Sequence, residues 1–207
     1  MLKSELSKKI KRDNITSFPE LGINYWGINK VATSTLVNHF VLLTGKHINV
    51  QVSSGQKGKS LSKTRAVSKE IAYTNGLINL GVVRHPEERF ESCYRHFKFP
   101  KDDVQAVGGK KANFDPAWTA DDFLDHIDRV FLAGRIGNKH YSKQTWYIPE
   151  PGRLDHIIKL ERLTEDWPFV FPSPQFVSNP TTKVWNLKYN KEKLHEIYQC
   201  DFDTFGY

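Results

Sequence analysis

The chain has 207 residues, of which 39% are hydrophobic and 26% charged, a composition that predicts a globular domain with its own core. Its two cysteines, Cys93 and Cys200, exclude a disulfide framework and a CxxC metal site, and no segment approaches the roughly 20 apolar residues of a membrane span. Thirty Lys and Arg against 23 Asp and Glu give a net charge of +7, which favours an anionic partner.

The N-terminal stretch of the chain is basic. Residues 1–14 predict a basic N-terminal arm, and no apolar segment follows their charges, so a secretory signal is not expected. Because neither a membrane anchor nor a signal peptide is expected, we expect a cytoplasmic protein.

Strands and helices alternate in the hydrophobic pattern that follows the arm. In chain order, the pattern predicts strand 23–28, helix 34–43, helix 64–74, strand 77–83, a helix from Pro86 to Phe97, helix 121–131, strand 156–160 and helix 191–198. Loops are expected at 45–61 and 167–180, and a mobile loop at 98–118. Strands separated by helices form β-α-β units, which predicts an α/β fold with a central parallel β-sheet flanked by helices. A single domain over residues 1–207 accommodates all of these elements.

The first strand–turn–helix segment contains the sequence INKVATST. A helix N-terminus presents backbone N–H groups and the positive end of the helix dipole, which together bind phosphate-like anions. Lys30 adds a charge just before the helix, and Thr33, Ser34 and Thr35 add hydroxyl groups. The Walker pattern GxxxxGK[ST] is absent. The residues alone leave two interpretations open, an anion cradle or a core helix that begins beside a solvated lysine.

A second strand–turn–helix segment joins LINLGVV to RHPEERFESCYRHF. Arg84 stands at the strand end, where ligands bind in open α/β sheets, and Ser92 in the helix can complete a phosphate cradle. The helical pattern predicts a buried stripe of Phe90, Cys93, Tyr94 and Phe97, and a face off that stripe with Arg89, Ser92 and His96. The alternative is a surface helix with local ion pairs such as Glu91 with Arg95.

A third segment, NKHYSKQ, contains His140. An imidazole titrates near neutral pH, so His140 is a candidate general base. A structural or merely exposed histidine is the alternative. Among the other seven histidines, His47 is the second candidate.

Together these segments resemble the carbohydrate sulfotransferase family (sulfotransferase family 2), whose members use 3′-phosphoadenylyl sulfate (PAPS). INKVATSTL resembles the family's 5′-phosphosulfate loop, and VVRHPEERFESCYRHF resembles its 3′-phosphate motif. NKHYSKQ resembles a His-Trp-x-Pro-Gln segment, IIKLERLTEDW a strand with a following acidic stretch, and DFDTFGY the usual ending. Asn29 stands where the family usually has proline, and Tyr141 and Lys143 stand where it has tryptophan and proline.

The resemblance implies a P-loop NTPase-like sulfotransferase fold and a PAPS-dependent enzyme. It implies that the 5′-phosphosulfate is held by Lys30, Val31, Ala32, Thr33, Ser34 and Thr35. It also implies that Arg84 and Ser92 hold the 3′-phosphate. For the reaction itself we expect Lys30 to be catalytic and His140 to be the base. The sulfuryl group would pass in line to an acceptor hydroxyl, expected on a carbohydrate, and leave 3′,5′-adenosine bisphosphate. No metal, nucleic-acid or membrane partner is expected.

Two other classes of function remain open from the sequence. A P-loop-like kinase or nucleotide hydrolase would require ATP and Mg²⁺, and the missing Walker glycines argue against it. A non-catalytic polyanion-binding domain fits the net charge of +7, but it leaves the two strand–turn–helix cradles without a purpose.

Overall fold

The computed structural model describes residues 15–45, 65–99, 114–174 and 187–207. Within these ranges the chain forms five strands and five α-helices, in the order β1 (Ile15–Phe18), β2 (Ile23–Trp26), α1 (Thr33–Leu43), β3 (Ala66–Val67), α2 (Lys69–Thr74), β4 (Ile78–Val83), α3 (Pro86–Lys98), α4 (Ala120–Leu132), β5 (His156–Lys159) and α5 (Lys191–Phe205). No helix among the described residues is long and apolar enough to cross a bilayer.

These elements belong to two compact units, each drawn from separate stretches of the chain. The sheet unit contains the described residues 15–45, 65–84 and 147–174, and the helical unit contains 85–99, 114–146 and 187–207. All five strands lie in the sheet unit, and α3, α4 and α5 lie in the helical unit.

The sheet has the strand order β3-β1-β2-β4-β5 and is mixed. The pairs β2–β4 and β4–β5 are parallel, as expected, but β1 is antiparallel to both β2 and β3, so the prediction of a purely parallel sheet is wrong. The reason is the short connection from β1 to β2, a single 3-10 turn at Pro19–Leu21 that Gly22 closes at φ +71°. So short a link can join only antiparallel strands, because a parallel pair needs a long crossover.

Part of the predicted helix 64–74 is a strand in the structure. Ala66 and Val67 form the edge strand β3, and α2 begins only at Lys69, where the Ser68 hydroxyl accepts a hydrogen bond from the Ile71 N–H. The other elements that the pattern predicts are present, with ends shifted by at most two residues, except that α5 continues to Phe205, seven residues beyond its predicted end.

Adjacent residues of β2 point to opposite faces of the sheet and meet different helices. The Tyr25 ring packs against Phe40 of α1, with ring centroids 5.7 Å apart. Trp26 packs against Tyr73, in α2, with centroids 5.1 Å apart. Helices α1 and α2 therefore cover the two faces of the sheet, which is the layered arrangement that the sequence predicts for this part of the chain.

Two buried asparagines join β2, β4 and α2. Asn24 and Asn79 are register partners across the parallel β2–β4 pair, and both side-chain amides donate to the Ala72 carbonyl at 3.1 Å. The Asn79 Oδ1 atom in turn accepts from the Trp26 indole N–H at 3.0 Å and from the Asn24 amide at 3.3 Å. These bonds satisfy polar groups that would otherwise be buried at a cost.

The helical unit is built around Phe123 of α4. Its ring centroid lies 5.2–6.0 Å from those of Phe90, Tyr94, Phe97, Phe114 and Tyr141. The buried stripe predicted for α3 is confirmed, since Phe90, Cys93, Tyr94 and Phe97 are all buried. The prediction that Arg89 lies off this stripe is wrong, because Arg89 is buried too, with only 2% of its surface exposed.

Several predicted features fall partly or wholly outside the described residues. The basic arm 1–14 and most of the loop 45–61 are among them, as is His47. Of the predicted mobile loop 98–118, the structure describes residues 98–99 and 114–118, where Phe114 is buried in the core of the helical unit.

We expect the Asn79→Leu variant to lower the free energy of unfolding by about 2–4 kcal/mol, because it leaves the buried Trp26 and Asn24 donors without this acceptor. Denaturant unfolding measures the change. The matched control is Ile78→Val, the neighbouring residue of β4, whose side chain is partly exposed, so its effect should stay within about 0.5 kcal/mol. Equal stability of the two variants would contradict the assigned role of the asparagines.

Candidate functional site

The connection from β2 to α1 is fixed by burial at two points. Ile28 and Val31 are fully buried, while Lys30 between them is half-buried. The backbone of Lys30 has φ +70° and that of Ala32, the N-cap of α1, has φ +58°. These are the only non-glycine residues with positive φ in the described part of the chain.

Such a backbone is strained, and strain of this kind collects at functional sites. A left-handed conformation costs an L-residue about 1–2 kcal/mol. Lys30 and Ala32, both at positive φ, flank Val31, whose φ is not positive. Alternation of this kind turns successive backbone N–H groups toward one side in anion-binding nests, and we call residues 30–32 the nest. Because the nest lies directly before the first turn of α1, its N–H groups continue into those of the helix N-terminus.

The Thr33 hydroxyl stabilises this loop from inside. It donates a hydrogen bond to the Ile28 carbonyl and accepts one from the Tyr25 hydroxyl at 3.3 Å. Burial raises the pKa of Tyr25, against a smaller opposing effect of the Thr33 hydrogen bond, so the tyrosine remains a donor at neutral pH. Ser34 and Thr35 in the first turn of α1 are exposed, and that turn contains no acidic residue.

Arg84 reaches the same loop from the neighbouring strand. Since β2 and β4 are parallel partners, the loop after β2 and the residue after β4 lie at the same edge of the sheet. The Arg84 guanidinium Nη1 donates to the Lys30 carbonyl at 3.4 Å. The structure therefore brings together two of the predicted anion-binding residues, Lys30 and Arg84, at the nest.

Ser92 and His140 belong to the helical unit. Ser92 is half-buried on α3, and the ion pair considered for that helix is present, with 3.7 Å between Arg95 Nη1 and Glu91 Oε2. His140 lies in a tight turn, residues 138–142, which we call the histidine turn. In it the Asn138 carbonyl accepts from the N–H groups of Tyr141 and Ser142, both at 3.0 Å.

The histidine turn has little room to change shape. The Asn138 side chain also accepts from the His140 N–H at 3.0 Å, and the Ser142 hydroxyl donates to the Asn138 carbonyl at 2.9 Å. Gly137 precedes the turn at φ +72°, where a Cβ atom would come within 2.4 Å of the Tyr141 ring. A glycine is needed there for both reasons.

The His140 ring contacts α3. Its centroid lies 4.8 Å from that of His96 and 5.6 Å from that of Phe97, whose ring it meets edge to face. His96 is one helical turn beyond Ser92, so these two residues share a face of α3, as predicted. The His140 ring contacts His96 on that face. The residues alone gave no signal for the His96–His140 contact, because it joins positions 44 apart along the chain.

Two charged residues of the same unit, Asp201 and Arg89, are buried, which their sequence pattern does not predict. Asp201 of α5 is fully buried, and its two carboxylate oxygens accept from the backbone N–H groups of Gln144 and Thr145 at 2.8 and 2.9 Å. Burial raises the pKa of Asp201, while these hydrogen bonds and the positive charge of Arg89 oppose the rise. Neither burial is predicted from the sequence, because charged side chains are rarely buried.

The sulfotransferase family model matches residues 13–207 of this chain. The chain belongs to the sulfotransferase family. The match is to sulfotransferase family 2 and confirms the resemblance that the motifs indicate. There is no significant match among curated proteins or among solved structures.

Membership supports sulfotransfer as the general activity, and so a transferase, with a nucleotide sulfate donor and a hydroxyl acceptor as the reactants that the family implies. Within the described stretches, no group of three or more His, Cys, Asp or Glu side chains is arranged to hold a metal ion. The P-loop NTPase-like assignment of the sheet stays a prediction.

The strain in the nest is testable in this sulfotransferase. We expect Ala32→Gly to raise the free energy of unfolding by about 0.5–1 kcal/mol, because glycine adopts φ +58° without a steric penalty. The same exchange at Ala72, which is buried in α2, should lower it by about 1 kcal/mol or more. Thermal unfolding of both variants measures the difference. A destabilised Ala32→Gly variant would contradict the left-handed geometry at this N-cap.

Proposed function

We propose that this chain is a PAPS-dependent carbohydrate sulfotransferase, which moves a sulfuryl group from PAPS to a sugar hydroxyl and releases 3′,5′-adenosine bisphosphate. The observation that supports it most is the strained nest at Lys30 and Ala32, at the N-terminus of α1, with the Arg84 guanidinium on the Lys30 carbonyl. Two cations and a series of backbone N–H groups at one edge of a sheet suit a ligand with several anionic groups.

In this proposal the nest holds the 5′-phosphosulfate of the donor. The backbone N–H groups of Val31, Ala32, Thr33, Ser34 and Thr35 donate to its oxygens. The Thr33 hydroxyl is engaged with Ile28 and Tyr25, so Thr33 contributes its N–H, whereas the exposed Ser34 and Thr35 also offer hydroxyl groups. The Lys30 ammonium provides the charge that the backbone dipoles lack.

Arg84 and Ser92 are assigned to the 3′-phosphate. A guanidinium presents paired N–H donors that match phosphate oxygens, and a serine hydroxyl adds a further donor. The support for Arg84 is its position at the end of β4 beside the nest, and the support for Ser92 is the family motif in which it stands eight residues later.

The reaction is an in-line displacement at sulfur. The acceptor oxygen forms a bond to sulfur as the bond from sulfur to the bridging phosphate oxygen breaks, and negative charge builds up on that bridging oxygen. Lys30 stabilises this charge, which makes it both a binding and a catalytic residue. The proton of the acceptor hydroxyl passes to His140, so all atoms are accounted for in sulfated sugar, 3′,5′-adenosine bisphosphate and a protonated imidazole.

The support for His140 as the base is its place in a rigid turn. A general base needs a fixed ring, and the His140 imidazole is held by a hydrogen-bonded turn and by ring contacts with His96 and Phe97. The two departures from the family motif beside it have structural roles here. Tyr141 is buried in the aromatic core, and the Lys143 ammonium lies 5.6 Å from the Phe131 ring centroid.

The donor site can be tested by calorimetric titration with 3′,5′-adenosine bisphosphate, with AMP and with ATP plus Mg²⁺. We expect binding that needs the 3′-phosphate and no metal. Arg84→Ala should weaken it by about 2 kcal/mol, which is about 30-fold, because a charge-assisted contact to phosphate is lost.

The matched control is Arg153→Ala, since Arg153 is an exposed arginine of the sheet unit that precedes β5 rather than following a strand. It should leave the affinity unchanged. Binding of ATP with Mg²⁺ but not of the bisphosphate would instead favour a kinase, and silence toward all three nucleotides would favour a polyanion-binding domain.

The role of His140 predicts a separation of catalysis from donor binding. His140→Gln should lower the turnover of PAPS with a saccharide acceptor by about 100-fold or more, which is the usual contribution of a general base. The affinity for 3′,5′-adenosine bisphosphate should stay that of the parent. Unchanged turnover would remove His140 from the mechanism and leave the donor site standing.

A further inference from the structure

The C-terminal helix α5 is bonded to the segment that contains His140 at two places. The Tyr198 hydroxyl donates to the Tyr141 carbonyl at 2.6 Å, directly beside His140 in the histidine turn. Both tyrosines are buried. Burial raises the pKa of Tyr198, so its hydroxyl stays protonated and remains the donor of this bond.

The second attachment is the Asp201 carboxylate, one turn further along α5. It accepts from the N–H groups of Gln144 and Thr145 and, at 2.9 Å, from the Thr145 hydroxyl. Three hydrogen bonds to one buried carboxylate hold the chain immediately after the histidine turn.

Helix α5 departs from helical geometry at the first of these attachments. Tyr198 has φ −106° and ψ 15°, inside a helix that otherwise runs from Lys191 to Phe205. These angles lie near the sparsely allowed bridge region of the backbone map. The irregular residue of α5 is therefore also the one that is bonded to the histidine turn.

Displacement of either attachment would be transmitted to the imidazole. The histidine turn is held together by its own hydrogen bonds, so it moves as one piece when its end moves. The His140 ring centroid lies 4.8 Å from that of His96, so a movement of the turn would change this ring contact.

We propose that Tyr198 and Asp201 are positioning residues of the sulfotransfer reaction, which set the His140 imidazole through the histidine turn without touching either substrate. The proposal rests on the role of His140 as the base in the proposed function. It assigns a role to the C-terminal helix α5. The sequence motifs indicate no role for this helix and show only that its end resembles that of the family.

The test compares two tyrosines that each donate one hydrogen bond to a backbone carbonyl in the same unit. Tyr198→Phe removes the bond to Tyr141, and the matched control Tyr94→Phe removes a 2.9 Å bond to the Trp118 carbonyl. The first readout is the NMR shift of the His140 ring protons, which depends on the neighbouring rings of His96 and Phe97. The second is turnover of PAPS with a saccharide acceptor, beside the affinity for 3′,5′-adenosine bisphosphate.

We expect Tyr198→Phe to shift the His140 resonances and to lower turnover about tenfold, with unchanged bisphosphate affinity, since small misplacement of a catalytic group is costly. Tyr94→Phe should change neither the resonances nor turnover, although it loses a comparable amount of stability. His140 resonances and turnover that stay at parent values in Tyr198→Phe would overturn the proposal.

A second variant keeps the test decisive if Tyr198→Phe does not fold. Thr145→Val removes the hydroxyl bond to Asp201, together with the 3.4 Å contact of that hydroxyl with the Cys200 thiol, and keeps the two backbone bonds to Asp201. We expect a smaller shift of the His140 resonances in the same direction. The NMR readout needs no substrate. If the variants shift the His140 resonances but the parent neither binds the bisphosphate nor turns over PAPS, the attachment of α5 to the histidine turn is supported and the proposed function fails.

Discussion

The parallel pairing of β2 with β4 is the constraint on which the proposed donor site depends. It aligns Ile23 with Ile78 and Trp26 with Gly81, and so delivers the loop after β2 and the arginine after β4 to one edge of the sheet. The register is held on one face by the Asn24–Asn79 pair and its bonds to α2, and by Tyr25 against α1 on the other. A slip of one residue would turn these side chains to the wrong faces and separate Arg84 from the Lys30 carbonyl.

The sequence predicts those parts of the fold that depend on local chemistry. Strand β4 is a continuous apolar run, α3 begins at Pro86 and has a regular buried stripe, and both are where the pattern puts them. Strand β1 was missed because ITSF is short and follows a charged arm, so nothing local distinguishes it from loop. Strand β1 forms because it pairs with β2 through a tight turn. Such pairing depends on both segments and cannot be predicted from either one alone.

The same distinction applies to the candidate site. Lys30 and Arg84 could be named in advance because a lysine before a helix and an arginine after a strand are local signals of anion binding. The positive φ of Lys30 and Ala32 could not, since neither residue is one that favours the left-handed region. The burial of Arg89 and Asp201 could not be predicted either, because it depends on the contact of α3 and α5 with distant segments. Only the folded chain shows that the Asp201 carboxylate, in DFDTFGY, accepts hydrogen bonds from the backbone after His140.

The backbone of Lys30 has a consequence for how this protein could change under selection. At φ +70° the position favours glycine on conformational grounds, whereas the proposed chemistry requires the lysine charge. The backbone conformation and the proposed chemistry therefore favour different residues at position 30. A laboratory selection for heat resistance alone would therefore favour glycine at position 30. Under the proposed mechanism it would enrich more stable proteins that no longer transfer the sulfuryl group, so such a selection needs an activity screen beside it.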